Sequence, residues 1–161
     1  MPPHASPANR KVTFVPGRKF IVPAQNGKER IANADDVFFY IDSDFHSLSD
    51  KNEAVSTKET RIELYETRER ATFTQIFASL SHDLDSLCFT QHQIKSIVRL
   101  HKNRIGKTHK LSLFLFRDCD QYFVAMLLID LNGVANIGVD PLGTKKFQDL
   151  IQVIVPSNAI N

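Results

Sequence analysis

KLSLFLFRDCDQYFVAMLLIDLNGVANIGVDPLGTKKFQDLIQVIV, residues 110–155, is the stretch on which the fold turns. Leu111 to Phe116 is nearly continuous in apolar residues, Asp118 to Asp120 supplies turn chemistry, and Tyr122 to Leu131 resumes the apolar run. The two runs therefore read as paired neighbouring strands. Asn132-Gly133, between Leu131 and Val134, is a strong hairpin signal because both residues tolerate the positive φ of a type I′ turn. Val134 to Val139 is then a third strand, ended by Pro141 and Gly143, and Leu150 to Val155 a fourth, stopped by Pro156. The reading is an antiparallel β block.

Two helix starts precede the block. Thr72 with Gln75 and Thr90 with Gln93 each fit a capping box, in which threonine oxygen and glutamine side chain satisfy unpaired backbone groups. Phe89 and Ile94 take the positions of a hydrophobic staple around the second. At 100° per residue Ile94, Ile97, Val98, His101 and Ile105 share one face, while Lys95, Arg99 and Lys102 form a flanking ridge. His101 on the apolar face reads as a hydrogen-bonded core residue, and Gly106 as the C-cap.

Nearer the N-terminus, Lys11 to Val15 and Arg18 to Val22 are β-prone runs that Pro16-Gly17 would join by a tight bend or hairpin. Val37 to Ile41 is apolar throughout and predicts a buried strand, ended by Asp42. Arg61 to Tyr65 alternates as a half-buried strand does. These elements predict one α+β domain over residues 10–156. Its antiparallel sheet would have about five to seven strands, with a short helix pair, about 73–80 and 91–103, packed on one face. Residues 1–9 read as a disordered terminus, about 43–60 as a mobile polar loop, and 157–161 as a tail.

With 42% apolar and 24% charged residues among 161, the chain has a globular composition, which excludes wholesale disorder. It has neither the apolar run of a signal peptide nor a membrane-spanning stretch, so a cytoplasmic protein with no membrane contact is expected. Cys88 and Cys119 lie apart from any metal-ligand spacing and read as buried apolar residues. The six glycines are isolated, so no phosphate-cradling loop and no cofactor is expected.

Charge is segregated along the chain. Residues 35–85 hold twelve acidic and five basic side chains, whereas residues 86–117 hold seven basic and no acidic ones. Lys95, Arg99 and Lys102 on the helix, followed by Arg104, Lys107 and Lys110, form a layout able to track a phosphate backbone or an acidic protein surface. The same charges also suit a solvated helix face set against the acidic block. A second constellation is Asp42-Ser43-Asp44 at a strand end, where paired carboxylates can share Mg²⁺ as in a phosphohydrolase or nuclease, with Asp118 or Asp120 as further ligands. Asp at a strand end is also ordinary turn chemistry. Without a complete catalytic set, the leading expectation is a small non-enzymatic module that binds a macromolecule, acidic protein or nucleic acid, through the basic helix and loop.

Four segments taken together resemble a family of short, uncharacterised open reading frames from uncultivated candidate-phylum bacteria. They are Tyr40 to Phe45, Leu87 to Ile94, Phe114-Leu115-Phe116 followed by Phe123-Val124-Ala125, and Val153-Ile154-Val155-Pro156. The chain departs from that pattern at Asn103-Arg104-Ile105 and Asp149-Leu150-Ile151, where the family has a Trp-Leu-Arg run and basic residues. No activity or ligand attaches to the family, so the resemblance implies a shared fold and no site.

Overall fold

A computed structural model describes residues 14–48, 55–67, 69–108, 110–148 and 151–157. The expected disordered terminus at 1–9, much of the polar loop and all but the first residue of the tail lie outside those residues. In chain order the elements are β1 (Phe14–Val22), β2 (Tyr40–Ile41), β3 (Thr60–Thr67), β4 (Ala71–Thr72), α1 (Phe73–Leu80), α2 (Gln91–Ile105), β5 (Leu111–Asp118), β6 (Gln121–Ile129), β7 (Ala135–Pro141), β8 (Phe147–Gln148) and β9 (Ile151–Pro156). Seven strands form one sheet in the order β1, β3, β9, β5, β6, β7, β2, and β4 pairs separately with β8. No helix among the described residues is long and apolar enough to cross a membrane.

Strands β5, β6 and β7 form the expected antiparallel meander. The last strand does not extend it. β9 returns to the far side of β5, pairs with it in parallel, and accepts β3 as an antiparallel neighbour. A second parallel pair joins β2 to β7. The sheet is therefore mixed rather than antiparallel.

The helices also depart from expectation, because they cover opposite faces. Ile94, Ile97, Val98 and Ile105 of α2 share a core with Phe20, Phe114, Phe116, Leu127 and Ile154. Phe73, Ile76, Phe77 and Leu80 of α1 share another with Leu113, Leu115, Val124, Val153 and Val155. The cause lies in β5 and β9. Successive side chains of a strand point to opposite faces, so runs that are apolar at almost every position leave half their side chains in water unless both faces are covered. Full burial of a Leu, Val or Phe is worth about 1.5–3 kcal/mol, and two helix layers collect that contribution on each side of the central strands.

Both capping boxes form as read, with Thr72 and Thr90 accepting from the backbone N–H of Gln75 and Gln93. Gly106 caps α2 as expected, in a right-handed conformation. Glycine is needed there for space, since a Cβ would lie 2.8 Å from the Ile129 side chain.

Pro16-Gly17 does not turn the chain. β1 runs through it with a register irregularity between Pro16 and Lys19, and an edge strand tolerates a proline that lacks a donor. The β6–β7 connection is a hairpin but not of type I′: Gly133 has φ +78° and Asn132 stays at negative φ. Asp130 accepts from the N–H of Gly133 through its carbonyl, and from Asn132 and Val134 through its carboxylate. A type I turn followed by a left-handed glycine results.

The predicted strand at Val37–Ile41 shrinks to Tyr40–Ile41. Val37 and Phe38 instead fold back onto the Ala34 carbonyl at 3.0 Å each, which buries Phe38 and leaves Phe39 85% exposed. The start of the expected mobile loop is ordered: Ser43–Ser47 makes a 3-10 turn that sinks Phe45 into the α2 side of the core.

Candidate functional site

The site is built around α2, whose two halves meet different surroundings. In the first half Gln91, His92, Gln93, Lys95 and Ser96 are all buried, and the coil from Gln25 to Asp36 lies over Gln91, His92 and Lys95. Ile31 donates its N–H to Gln91 Oε1 at 3.1 Å. His92 Nδ1 accepts from Gly27 N–H at 3.1 Å, and its Nε2 lies 2.7 Å from Glu29 Oε2. An Nδ1 that accepts leaves the ring proton on Nε2, where it is donated to the carboxylate.

Lys95 is therefore not part of a solvated ridge. Its side chain is 7% exposed and its Nζ lies 3.2 Å from Glu29 and 3.3 Å from Asp36. The hydrogen bond from Lys95 holds both carboxyls below the usual range. Burial pushes the His92 imidazole down, against the attraction of Glu29 and together with repulsion from Lys95 and Arg99. A long cation can be sunk in this way only because its ammonium reaches two carboxylates at the rim. Lys110 is likewise committed, to Glu66 at 3.0 Å.

In the second half of α2, Arg99 and Arg104 are exposed and Lys102 is half-buried; beyond the helix Lys107 is exposed. His101 is half-buried at the rim of the core. It stacks on Phe20 with ring centroids 4.8 Å apart and donates from Nε2 to the Ile21 carbonyl at 2.8 Å. The Arg104 guanidinium lies over the same ring, 6.0 Å from its centroid. Between these residues and the β1–β3 pair runs a groove of about 590 Å³ lined by Lys19, Arg61, Glu63, His101 and Arg104 among others. Lys19 and Arg61 come from strands, and their polar places in the β-prone run Arg18–Val22 and the alternating run Arg61–Tyr65 were the only sequence signal for them. Among the described residues lining the groove, Glu63 is the one carboxylate. It pairs with Lys19 at 3.5 Å and accepts from the Tyr65 hydroxyl, whose pKa is pushed up to about 12 by burial and then by Glu63.

A second cleft of about 510 Å³ opens at the start of α2, lined by Gly27, Arg30, Val55 and Thr57 on one wall and by Cys88, Gln93, Arg117 and Cys119 opposite. Neither cysteine is fully buried as expected. Cys119 is exposed at the β5–β6 turn with φ +54°, and Cys88 is half-buried with its thiol pushed up to about 12, chiefly by burial. Arg117 is held by Asp85 at 3.2 Å and Asp120 at 3.0 Å. Asp85 also accepts from the Tyr122 hydroxyl at 2.6 Å, which pushes that phenol up to about 12.

The four aspartates of the metal constellation are not brought together. Asp42 accepts from the N–H of Asp44 at 3.0 Å and of Val139 at 3.4 Å, capping the 3-10 turn and fastening the exposed side of β7. Asp118 is buried at the end of β5, and Asp120 pairs with Arg117. Among the described residues no three His, Cys, Asp or Glu side chains are grouped to hold a metal ion. No family model, curated protein or solved structure matches the chain, so the functional reading stands on this geometry.

Proposed function

We propose that the protein is a binding module for an anionic macromolecule, taken in the groove between β1–β3 and the last turns of α2. The observation that carries this reading is that three cations, Lys19 and Arg61 on the β1–β3 pair and Arg104 on α2, line one groove at the edge of the sheet, where Glu63, the one carboxylate among the described lining residues, is engaged by Lys19 and Tyr65. Arginine guanidinium groups suit planar, two-point contact with phosphate or carboxylate. Arg99, Lys102 and Lys107 extend the same sign of charge along the helix and its following turn and would steer a polyanion toward the groove. Lys95 and Lys110, which the basic face also included, serve the fold. Binding, and not catalysis, is the activity inferred, and a cytoplasmic setting fits Cys88 and Cys119 standing without a disulfide.

The test is a titration with a single-stranded oligonucleotide and, separately, with polyglutamate, each over a series of salt concentrations. Affinity should fall as salt rises, with a log–log slope of about −0.7 per phosphate neutralised on the oligonucleotide. Replacing Lys19, Arg61 and Arg104 together with Gln should flatten that slope by about two. The tighter-binding polymer names the ligand class. Binding of neither, or an unchanged slope in the triple variant, overturns the assignment.

A further inference from the structure

We infer that His92 is a pH-sensitive latch, closed when neutral, that holds one wall of the cleft at the start of α2. The mechanism is independent of the groove.

Two backbone N–H groups converge on Nδ1, Gly27 at 3.1 Å and Glu29 at 3.5 Å. A protonated imidazole has no acceptor left. A proton on Nδ1 would therefore face two donors, and protonation and the docked turn 27–29 exclude one another.

The charged groups facing the ring do not remove this conflict. Glu29 favours a charged imidazole, but it already serves Lys95, and Lys95 and Arg99 oppose a further positive charge. Asp36 acts on the ring only through Lys95, which it binds at 3.3 Å. The downward pull of burial on His92 agrees with this arrangement.

Release at Gly27 propagates to the wall of the cleft. Gly27 has φ +76° and packs so closely on residue 55 that a Cβ would sit 2.1 Å from the Val55 carbonyl oxygen. Two residues earlier, Gln25 and Thr57 exchange backbone hydrogen bonds of 3.0 and 2.8 Å. The turn and residues 55–57 therefore move as one piece, and together they form the wall that carries Gly27, Val55 and Thr57. Ile31 is buried and tied to Gln91, whose amide does not titrate in this range, so it marks where the motion stops. As pH falls below about 6.5, the ordinary imidazole value, proton uptake by the released ring should increasingly favour opening of the wall and exposure of the cleft.

Amide hydrogen exchange followed by NMR on the full chain tests this. Protection at Gly27 and Thr57, corrected for intrinsic rates, should fall up to about tenfold per pH unit below about 6.5. Protection at Ile97 in the middle of α2 should stay constant. His92→Asn, which places a non-titrating oxygen near the Nδ1 position, should make Gly27 protection independent of pH. Constant Gly27 protection in the wild type, an equal fall in the variant, or a parallel fall at Ile97 overturns the latch. A second readout needs no variant: ring ¹⁵N shifts of His92 should report the Nε2–H form at neutral pH, titrating with a midpoint below about 6.5. An Nδ1–H form contradicts it.

Discussion

The two halves of α2 are built from similar residues and end in opposite environments. Gln91 to Val98 and Arg99 to Ile105 each mix polar and cationic side chains with apolar ones on the core face. In the first half Gln91, His92 and Lys95 lie under the 25–36 coil and are used internally; in the second the polar side chains reach solvent and the groove. The difference teaches that the charge pattern of a helix does not say which charges are free. What decides is whether a distant segment carries complementary groups at the right height, as Glu29 and Asp36 do for Lys95 and as nothing among the described contacts does for Arg104.

Charge reversal is the strongest way to break this comparison. Lys95→Glu would bury a carboxylate beside two others, and we expect a loss of about 3 kcal/mol or more in denaturant unfolding. Lys102→Glu in the second half should change stability by less than about 0.5 kcal/mol. Equal costs for the two would mean that the coil does not cover Lys95.

The next effect lies at the far end of the helix, where buried Gln152 of β9 donates to the Ile105 carbonyl at 3.1 Å and to Ser112 Oγ at 3.3 Å. Gln152→Leu keeps the volume but leaves that carbonyl without its donor, and should cost about 1–3 kcal/mol.

The smallest effect is on pH. His92 has a folded-state pKa below its unfolded value, so the unfolded chain binds the proton first. Its contribution to stability is therefore complete above about pH 6.5 and declines as pH falls, by at most about 1.4 kcal/mol per unit. Glu29 and Asp36 are shifted the same way from carboxylate values, so their contributions are lost in a separate, more acidic window. Melting the wild type and His92→Asn between pH 7.5 and 5.5 isolates the histidine.

Local features were legible in the sequence and long-range ones were not. Both capping boxes, the β5–β6–β7 meander and β3 follow from short motifs and alternation. The insertion of β9 between β3 and β5 depends on strand order, which no local pattern encodes. The covering of both faces was in fact readable, since Leu111 to Phe116 and Ile151 to Val155 are apolar at nearly every position, but it requires asking where both sets of side chains go. Phe38 and Phe39 mislead for the converse reason, as an apolar run can be a turn that buries one ring and exposes the next. At the site, Arg104 was visible as part of a basic block. Lys19 and Arg61 were not, because isolated cations on strands more than forty residues apart acquire meaning only when the sheet sets them side by side.

The most direct test of the groove assignment is an NMR titration of the full chain with the tighter-binding polyanion, read residue by residue. The account predicts the largest amide shifts at Lys19, Arg61 and Arg104, with little change at Gly27 to Asp36. Shifts centred on the cleft at the start of α2, with the groove unmoved, would contradict it.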